Sequence, residues 1–199
     1  ERYRTVADFT YDWEYWRSPD GEMLYCSPSC ERITGYRVED FFQNPGLMDQ
    51  IVHPKDRHIL EQHESIIRLT RDEPGLHEAD FRIIHKDQSI HWIGHTCQFI
   101  HRADGTSLGL RGTNRDISER KQAEEDLRES QERFRKAFLE SPFPIMLHAE
   151  DGTVLQISRS WCEITGYTPQ ELATVADWTE RAYGERRLLI QEDIDRLYG

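Results

Sequence analysis

Phe9, Tyr11, Trp13 and Tyr15 alternate with Thr10, Asp12 and Glu14, the two-residue period of a strand with one buried face. Ser18-Pro19-Asp20-Gly21 predicts a turn, since proline fixes one dihedral and glycine takes the positive one. Met23 to Cys26 reads as the returning strand. Ser27-Pro28 opens a short helix ending at Gly35, and Val38 to Phe42 and Leu47 to Val52 predict two more helical pieces. Pro54 opens a longer helix with Ile59, His63, Ile66 and Ile67 on one face. Beyond Pro74-Gly75 the period returns to two: Ala79, Phe81 and Ile83 mark one strand, Ile93, Cys97 and Phe99 the next. Arg102-Ala103-Asp104-Gly105 is a hairpin turn into a third strand, from about Ser107 to Ile117. Two strands, a cluster of helices and three strands predict an α+β domain, a five-stranded antiparallel sheet with helices on one face.

Part of this pattern occurs twice. Glu1-Arg2-Tyr3-Arg4 returns as Glu132-Arg133-Phe134-Arg135, Asp20-Gly21 as Asp151-Gly152, and Ile33-Thr34-Gly35-Tyr36 as Ile164-Thr165-Gly166-Tyr167, each at an offset of 131. Repetition in constant register predicts two copies of one fold. By that register Gly199 corresponds to position 68, so the counterpart of residues 69–117 is missing and the second copy is expected to be truncated. The domains expected are 1–117, a linker over 118–140, and 141–199.

The linker reads as one helix. Ser118 is placed to cap its start, and Asp116 is expected to be held by a basic side chain. Glu124 to Arg128, Glu129 to Arg133 and Glu132 to Lys136 are pairs four residues apart in the favourable order. Arg120, Glu124, Leu127, Gln131, Phe134 and Phe138 alternate spacings of four and three, a half-apolar coiled-coil seam. A solvated single helix and a parallel dimeric helix both fit this pattern.

The chain has 199 residues, 37% hydrophobic and 11% aromatic, enough for a core, and a net charge of −12. Residues 1–117 hold 20 acids against 14 bases, 118–140 hold 7 against 6, and 141–199 hold 10 against 5. No segment is basic, which disfavours nucleic acid and anionic lipid as partners. No apolar run approaches the ~20 residues that cross a bilayer. Cys26, Cys30, Cys97 and Cys162 match neither a zinc knuckle nor a disulfide framework. A cytoplasmic setting is expected, and the start at Glu1 suggests a piece of something longer.

Four words in order carry a family resemblance. They are Ser27-Pro28-Ser29-Cys30-Glu31-Arg32-Ile33-Thr34-Gly35-Tyr36, then Val52-His53-Pro54-Lys55-Asp56-Arg57, then Phe81-Arg82-Ile83-Ile84-His85-Lys86-Asp87 with Trp92-Ile93. The last runs from Gly109 to Lys121, with Asp116-Ile117-Ser118 in the place of a usual Asp-Ile-Thr. Together they resemble the PAS fold, the last word its closing PAC motif, over nearly all of residues 1–198. Gln88 departs from the family, which usually has glycine at that hairpin, so a turn of another type is expected.

The resemblance implies the sensory input region of a bacterial signalling protein. Its expected output, covalently downstream, is a histidine kinase or diguanylate cyclase. PAS domains sense a small molecule, a cofactor or a redox change, and relay it by dimer rearrangement through helices. Asp116, Ile117, Ser118, Leu127 and Phe134 are the expected relay. His63, Phe81, Ile83, Trp92 and Cys97 are the candidate ligand pocket. Trp16, opposite in phase to Trp13, is the candidate sheet contact of a homodimer.

The cofactor stays open among haem, flavin and a small metabolite. His63-Glu64-Ser65-Ile66-Ile67 is loosely similar to the haem-binding word of oxygen sensors, and an axial histidine is a real haem mechanism. Light-driven flavin chemistry is disfavoured, because Pro45 to Val52 holds no cysteine. His53, His58 and His63 diverge around a helix, each five-residue step turning about 140° net, so no metal set is expected among them. No nucleophile–base pair, phosphate loop, kinase phospho-acceptor helix or Gly-Gly-Asp-Glu word is found, so no enzyme is expected. The rival to a ligand sensor is a constitutive dimerisation scaffold.

Overall fold

The structure is a computed structural model that describes residues 8–69, 75–186, 188, 192 and 196. Glu1 to Arg4, Pro74 and Gly199, which enter the repeat and turn readings, lie outside the described residues. The chain divides into two compact units, Glu1–Glu124 and Glu125–Gly199.

In the first unit the chain runs β1 (Trp13–Arg17), β2 (Met23–Cys26), α1 (Ser29–Thr34), α2 (Val38–Gln43) and α3 (Leu47–Gln50). A 3-10 turn at Pro54–Asp56 leads into α4 (Arg57–Leu69), followed by β3 (His77–Ile84), β4 (Ile90–His101) and β5 (Ser107–Asp116). The sheet has the order β2-β1-β5-β4-β3, antiparallel throughout. Its fold class is therefore the α+β arrangement expected.

The core lies between the sheet's inner face and the helices. Trp13, Phe81, Ile83 and Ile93 meet Cys30, Ile33, Phe41, Leu47, Ile51 and Val52 there. The Trp13 ring sits 4.9 Å from that of Phe41. Its indole N–H donates to Cys26 Sγ at 3.2 Å, so the one polar atom of this large side chain is satisfied.

Two boundaries and one helix face differ from the sequence pattern, each for a packing reason. β1 begins at Trp13, not Phe9: Phe9 and Tyr11 are 86% and 75% exposed. The Thr10 and Asp12 carbonyls accept the Ser29 hydroxyl at 2.7 and 3.0 Å, which draws this segment to the start of α1 and away from the ladder. On α4 the buried positions are His63 and Ile67, while Ile66, about 100° around the helix from Ile67, is exposed. α3 stops at Gln50, because the chain then leaves the helix to flank β3: Val52 bridges Ile83, and His53 N–H donates to Arg82 O at 2.8 Å.

That crossing is held by an ion pair linking two of the words above. Asp56, which is buried, takes Arg82 N–H at 2.9 Å and Arg82 Nε–H at 2.8 Å on one oxygen, and the guanidinium terminus on the other. The Arg82 hydrogen bonds hold the Asp56 carboxyl below its usual range, against the opposing effect of burial.

The β3–β4 hairpin turns at Gln88, the one non-glycine with positive φ (75°) among the described residues. Gln88 N–H donates to His85 O at 2.8 Å, and Asp87 Oδ1 accepts Ser89 N–H at 2.8 Å. The glutamine thus occupies the left-handed conformation a glycine would take without steric cost.

Helix α5 (Ser118–Leu139) follows β5. The second unit holds β6 (Met146–His148), β7 (Val154–Ile157), α6 (Arg159–Thr165) and α7 (Val175–Tyr183). The sequence repeat holds at the level of individual hydrogen bonds. Glu14 N–H donates to Ser27 Oγ and Ile145 N–H to Ser158 Oγ, both at 2.9 Å. Thr34 Oγ1 donates to Cys30 O and Thr165 Oγ1 to Trp161 O, both at 2.8 Å. Gly35 and Gly166 end their helices at φ 76° and 77°. The copies part after that point, since residues 169–174 form no counterpart of α2.

Two stability predictions follow from these contacts. Asp56→Asn costs about 2 kcal/mol at pH 7, the range for hydrogen bonds to a charged partner, read by urea denaturation. Because the folded pKa is depressed, this contribution is full above the unfolded value of about 4 and fades as pH falls through it toward the folded value. The gap between wild type and variant should therefore narrow below pH 4. Gln88→Gly should gain about 1 kcal/mol by relieving the positive φ. An unchanged urea midpoint would show that the turn bears no such cost.

Candidate functional site

Strand alternation sets Ile93, His95 and Cys97 on the inner face of β4. There His95 pairs with Ala79 and Asn114, and Cys97 with His77 and Gly112. Helix α4 lowers His63 onto them. His63 Nε2 lies 3.4 Å from Cys97 Sγ, and the His63 and His95 rings meet edge to face at 4.9 Å. His95 Nδ1 is 2.8 Å from Asn114 Oδ1, which as an acceptor assigns the proton to Nδ1 and leaves the Nε2 lone pair free. Tyr15 stacks on His95 at 6.1 Å. It does so by lying across Gly112, where an added Cβ would come within 2.3 Å of the Tyr15 ring.

The cluster is sealed: His63, His95, Cys97 and Asn114 are all at most 6% exposed. Burial lowers the His95 pKa to about 4, and it lowers that of His63 with a smaller push from His77. Burial raises the Cys97 thiol to about 12 and pushes the Tyr15 phenol up as well. At neutral pH the two imidazoles and the thiol are therefore uncharged. The ligand atoms of His63, His95 and Cys97 all lie within 4.8 Å of one another. Asn114 Nδ2 is buried with no hydrogen-bond partner among the described residues.

Of the expected pocket, His63 and Cys97 meet, and Phe81 lies 5.9 Å from the His95 ring. Ile83 belongs to the apolar core around Trp13 and Phe41. Trp92 is a correction: it projects from the opposite face of β4 from Ile93, between Arg82 and Lys121 at 5.2 and 5.1 Å. His95, Asn114 and Tyr15 were absent from the expected pocket. The legible sign was His95-x-Cys97 in phase with Ile93, three residues of one strand face. His63, the candidate axial ligand of a haem, is in contact with Cys97 and His95 instead of facing an open cavity.

β5 runs into the start of α5, and β4 is hydrogen-bonded to it. Asp116 Oδ1 accepts Ser118 N–H at 2.9 Å, and Oδ2 lies 2.8 Å from His91 Nδ1. Partial burial pushes the Asp116 carboxyl up, but the Ser118 and His91 hydrogen bonds outweigh it and the net shift is downward. Ser118 Oγ does not cap its own helix as expected; it accepts Trp92 N–H at 2.8 Å, tying α5 to β4. Ile117 N–H donates to Trp92 O at 2.9 Å, and the Ile117 side chain packs on Gly94. Lys121 reaches Asp80 at 2.8 Å.

Along α5, Arg128 pairs with Glu125 and Glu132 rather than Glu124, which pairs with Arg120. Leu127 and Phe134 are each 61% exposed. Across the sheet's outer face an open groove of about 680 Å³ is lined by Asp12, Glu78, Asp80, Thr96, Arg115 and Arg120, among others.

The first unit is thus an α+β domain with helices on one face of a 2-1-5-4-3 antiparallel sheet and a further helix leaving its central strand. A family model described as "PAS fold" matches residues 23–114, and one described as "PAS domain" matches residues 132–197. The chain belongs to the PAS family, with a match in each unit. It is 29% identical over 173 residues to "Uncharacterized protein y4lL" of Sinorhizobium fredii (strain NBRC 101917 / NGR234), covering 87% of this chain and 20% of that protein. The chain therefore spans about a fifth of that relative's length.

Among solved structures, the PAS domain of a Colwellia psychrerythraea protein superposes with a TM-score of 0.49 at 24% identity, covering 59% of this chain and 96% of that one. An RNA-binding light-oxygen-voltage receptor gives a TM-score of 0.52 at 17% identity, covering 68% and 37%. Among the described residues no helix is long and apolar enough to cross a membrane.

Ser118→Ala tests the strand–helix tie. It leaves the Trp92 amide without its acceptor and should cost about 1 kcal/mol. Hydrogen exchange should quicken at Trp92 and over the first turn of α5, while β1 and β2 keep their protection. Unchanged exchange at Trp92 would show that the hydroxyl does not hold the helix.

Proposed function

We propose that the chain is a sensory input module of a bacterial signalling protein. Residues 1–117 receive the signal, residues 118–140 relay it, and residues 141–199 form a second PAS domain in the same relay. The observation that carries this reading is one of continuity. β4 bears both His95-x-Cys97 and, three residues before His95, the Trp92 amide that holds Ser118. β5 bears both Asn114, bonded to His95, and, two residues on, Asp116, bonded to the start of α5. A ligand that shifts either strand shifts the root of the helix.

Asp116, Ile117 and Ser118 act as the coupling, and Leu127 and Phe134 as the contacts of a parallel helix pair. Exposed apolar residues at seam positions support that pairing, since a second copy would bury them. Polar Gln131 and Glu124 in the same seam leave alternative registers close in energy, as a switch requires. Catalysis is assigned to an output domain beyond this chain, as the family resemblance implies. The four cysteines are free, which supports a reducing, cytoplasmic compartment.

Single cysteines placed at Leu127 or Phe134 should crosslink between copies under mild oxidation, and one at Glu129, off the seam, should not. A chain that stays monomeric at high concentration, or that crosslinks equally at all three positions, would overturn the paired-helix relay.

A further inference from the structure

We propose that His63, His95 and Cys97 form a three-ligand site for a transition-metal cation of intermediate softness, of the Zn²⁺ class, inside the first unit. This deepens the input-module reading by naming its ligand, and it rests on that reading only for the consequence of binding.

The donor set is the first argument. Two imidazole nitrogens and a thiol sulfur suit zinc and its neighbours, whereas calcium and magnesium take oxygen ligands. No carboxylate is part of the cluster. Distances are the second. Tetrahedral zinc with bonds of about 2.0–2.3 Å sets neighbouring ligand atoms about 3.3–3.6 Å apart. His63 Nε2 and Cys97 Sγ are already 3.4 Å apart, and no ligand-atom pair of the three exceeds 4.8 Å. Closing on an ion needs about an ångström of side-chain rotation and no movement of the strand register.

Support around the ligands is the third argument. Metal-bound histidines characteristically donate their other nitrogen to a carbonyl or carboxylate, which fixes the tautomer and aims the lone pair. Asn114 Oδ1 does this for His95, and the Tyr15 ring, resting on Gly112, stacks on the imidazole and holds its plane.

The orphan donor is the fourth. A sealed amide nitrogen without a partner is uncommon and calls for a group the chain itself does not supply. Three protein ligands leave a fourth position for water or a small anion. On binding, the Cys97 S–H bond breaks, the thiolate keeps the electron pair and bonds the metal, and the proton leaves to solvent. No oxidant or reductant is involved.

The same geometry separates this site from the scattered histidines. His63 sits on α4, 32 residues before His95 with β3 between them, so the set is assembled only when α4 packs on the sheet. Metal binding and that packing are therefore coupled, and the ion reports on the position of α4 over β4.

The test uses the full chain, stripped with chelator and titrated with Co²⁺ as a spectroscopic stand-in for Zn²⁺. One equivalent per chain should bind, with a thiolate-to-cobalt charge-transfer band in the near ultraviolet and tetrahedral d–d bands. Cys97→Ser, nearly isosteric, should abolish the charge-transfer band, and His63→Gln should weaken binding at least tenfold. Zn²⁺ should raise the wild-type unfolding midpoint and leave that of Cys97→Ser unmoved, which separates loss of the site from loss of the fold. A wild-type chain that binds no Co²⁺, or a band that survives Cys97→Ser, overturns the site.

Helix crosslinking at Leu127, measured with and without Zn²⁺, reports on the relay separately. Binding without a change in crosslinking keeps the site and overturns its coupling to the relay. Crosslinking without binding keeps the relay and overturns the site.

Discussion

The β4–β5 ladder is the interaction on which the rest of the first unit depends. It runs from Ile93 opposite Asp116 to His101 opposite Ser107, and its register decides which side chains face the helices. A slip of β4 by one residue against β5 would turn His95 and Cys97 outward and bring Gly94 and Thr96 into the core, with Asn114 still facing inward. The His95–Asn114 hydrogen bond, sealed between the strands and α4, penalises that slip because Asn114 would stay buried without its partner.

Two features next to the ladder show how tightly the inner face is fitted. Gly112 has no side chain because Tyr15 lies across it, and Tyr15 in turn supports His95. At the edge, β3 is covered where Val52 and His53 cross it, an arrangement held by the Asp56–Arg82 pair. The crossing segment covers the Arg82–Ile84 end of that edge. One end of the ladder is polar and hydrogen-bonded to α5, so the element that would carry a signal is rooted where the register is strictest.

The second unit illustrates how far local rules reach. Its hairpin and first helix repeat several hydrogen bonds of the first unit, because the serine and threonine side-chain bonds, the turn glycines and the alternation mostly act within a few residues. Where the outcome depends on distant partners the two copies differ, as at α2, which has no helical counterpart at 169–174.

The division between what was legible and what was not follows the same line. Residue pattern alone determined the order of elements, the α+β class, the turns at Gly21 and Gly105, the helix end at Gly35 and the repeat, since each rests on interactions close along the chain. The start of β1 and the facing of Ile66 depart from the sequence pattern, because exposure of Phe9, Tyr11 and Ile66 is set by what packs on them and not by their own periodicity. Trp92 and Cys97 lie on opposite faces of β4, as the two-residue period of the strand already places them. Tertiary structure alone decided that Asp56 meets Arg82, that Ser118 serves β4 instead of its own helix, and that His63 meets His95 and Cys97. These contacts join residues 26 to 34 positions apart, and a chain's pattern carries no record of which distant partners its folding will bring together.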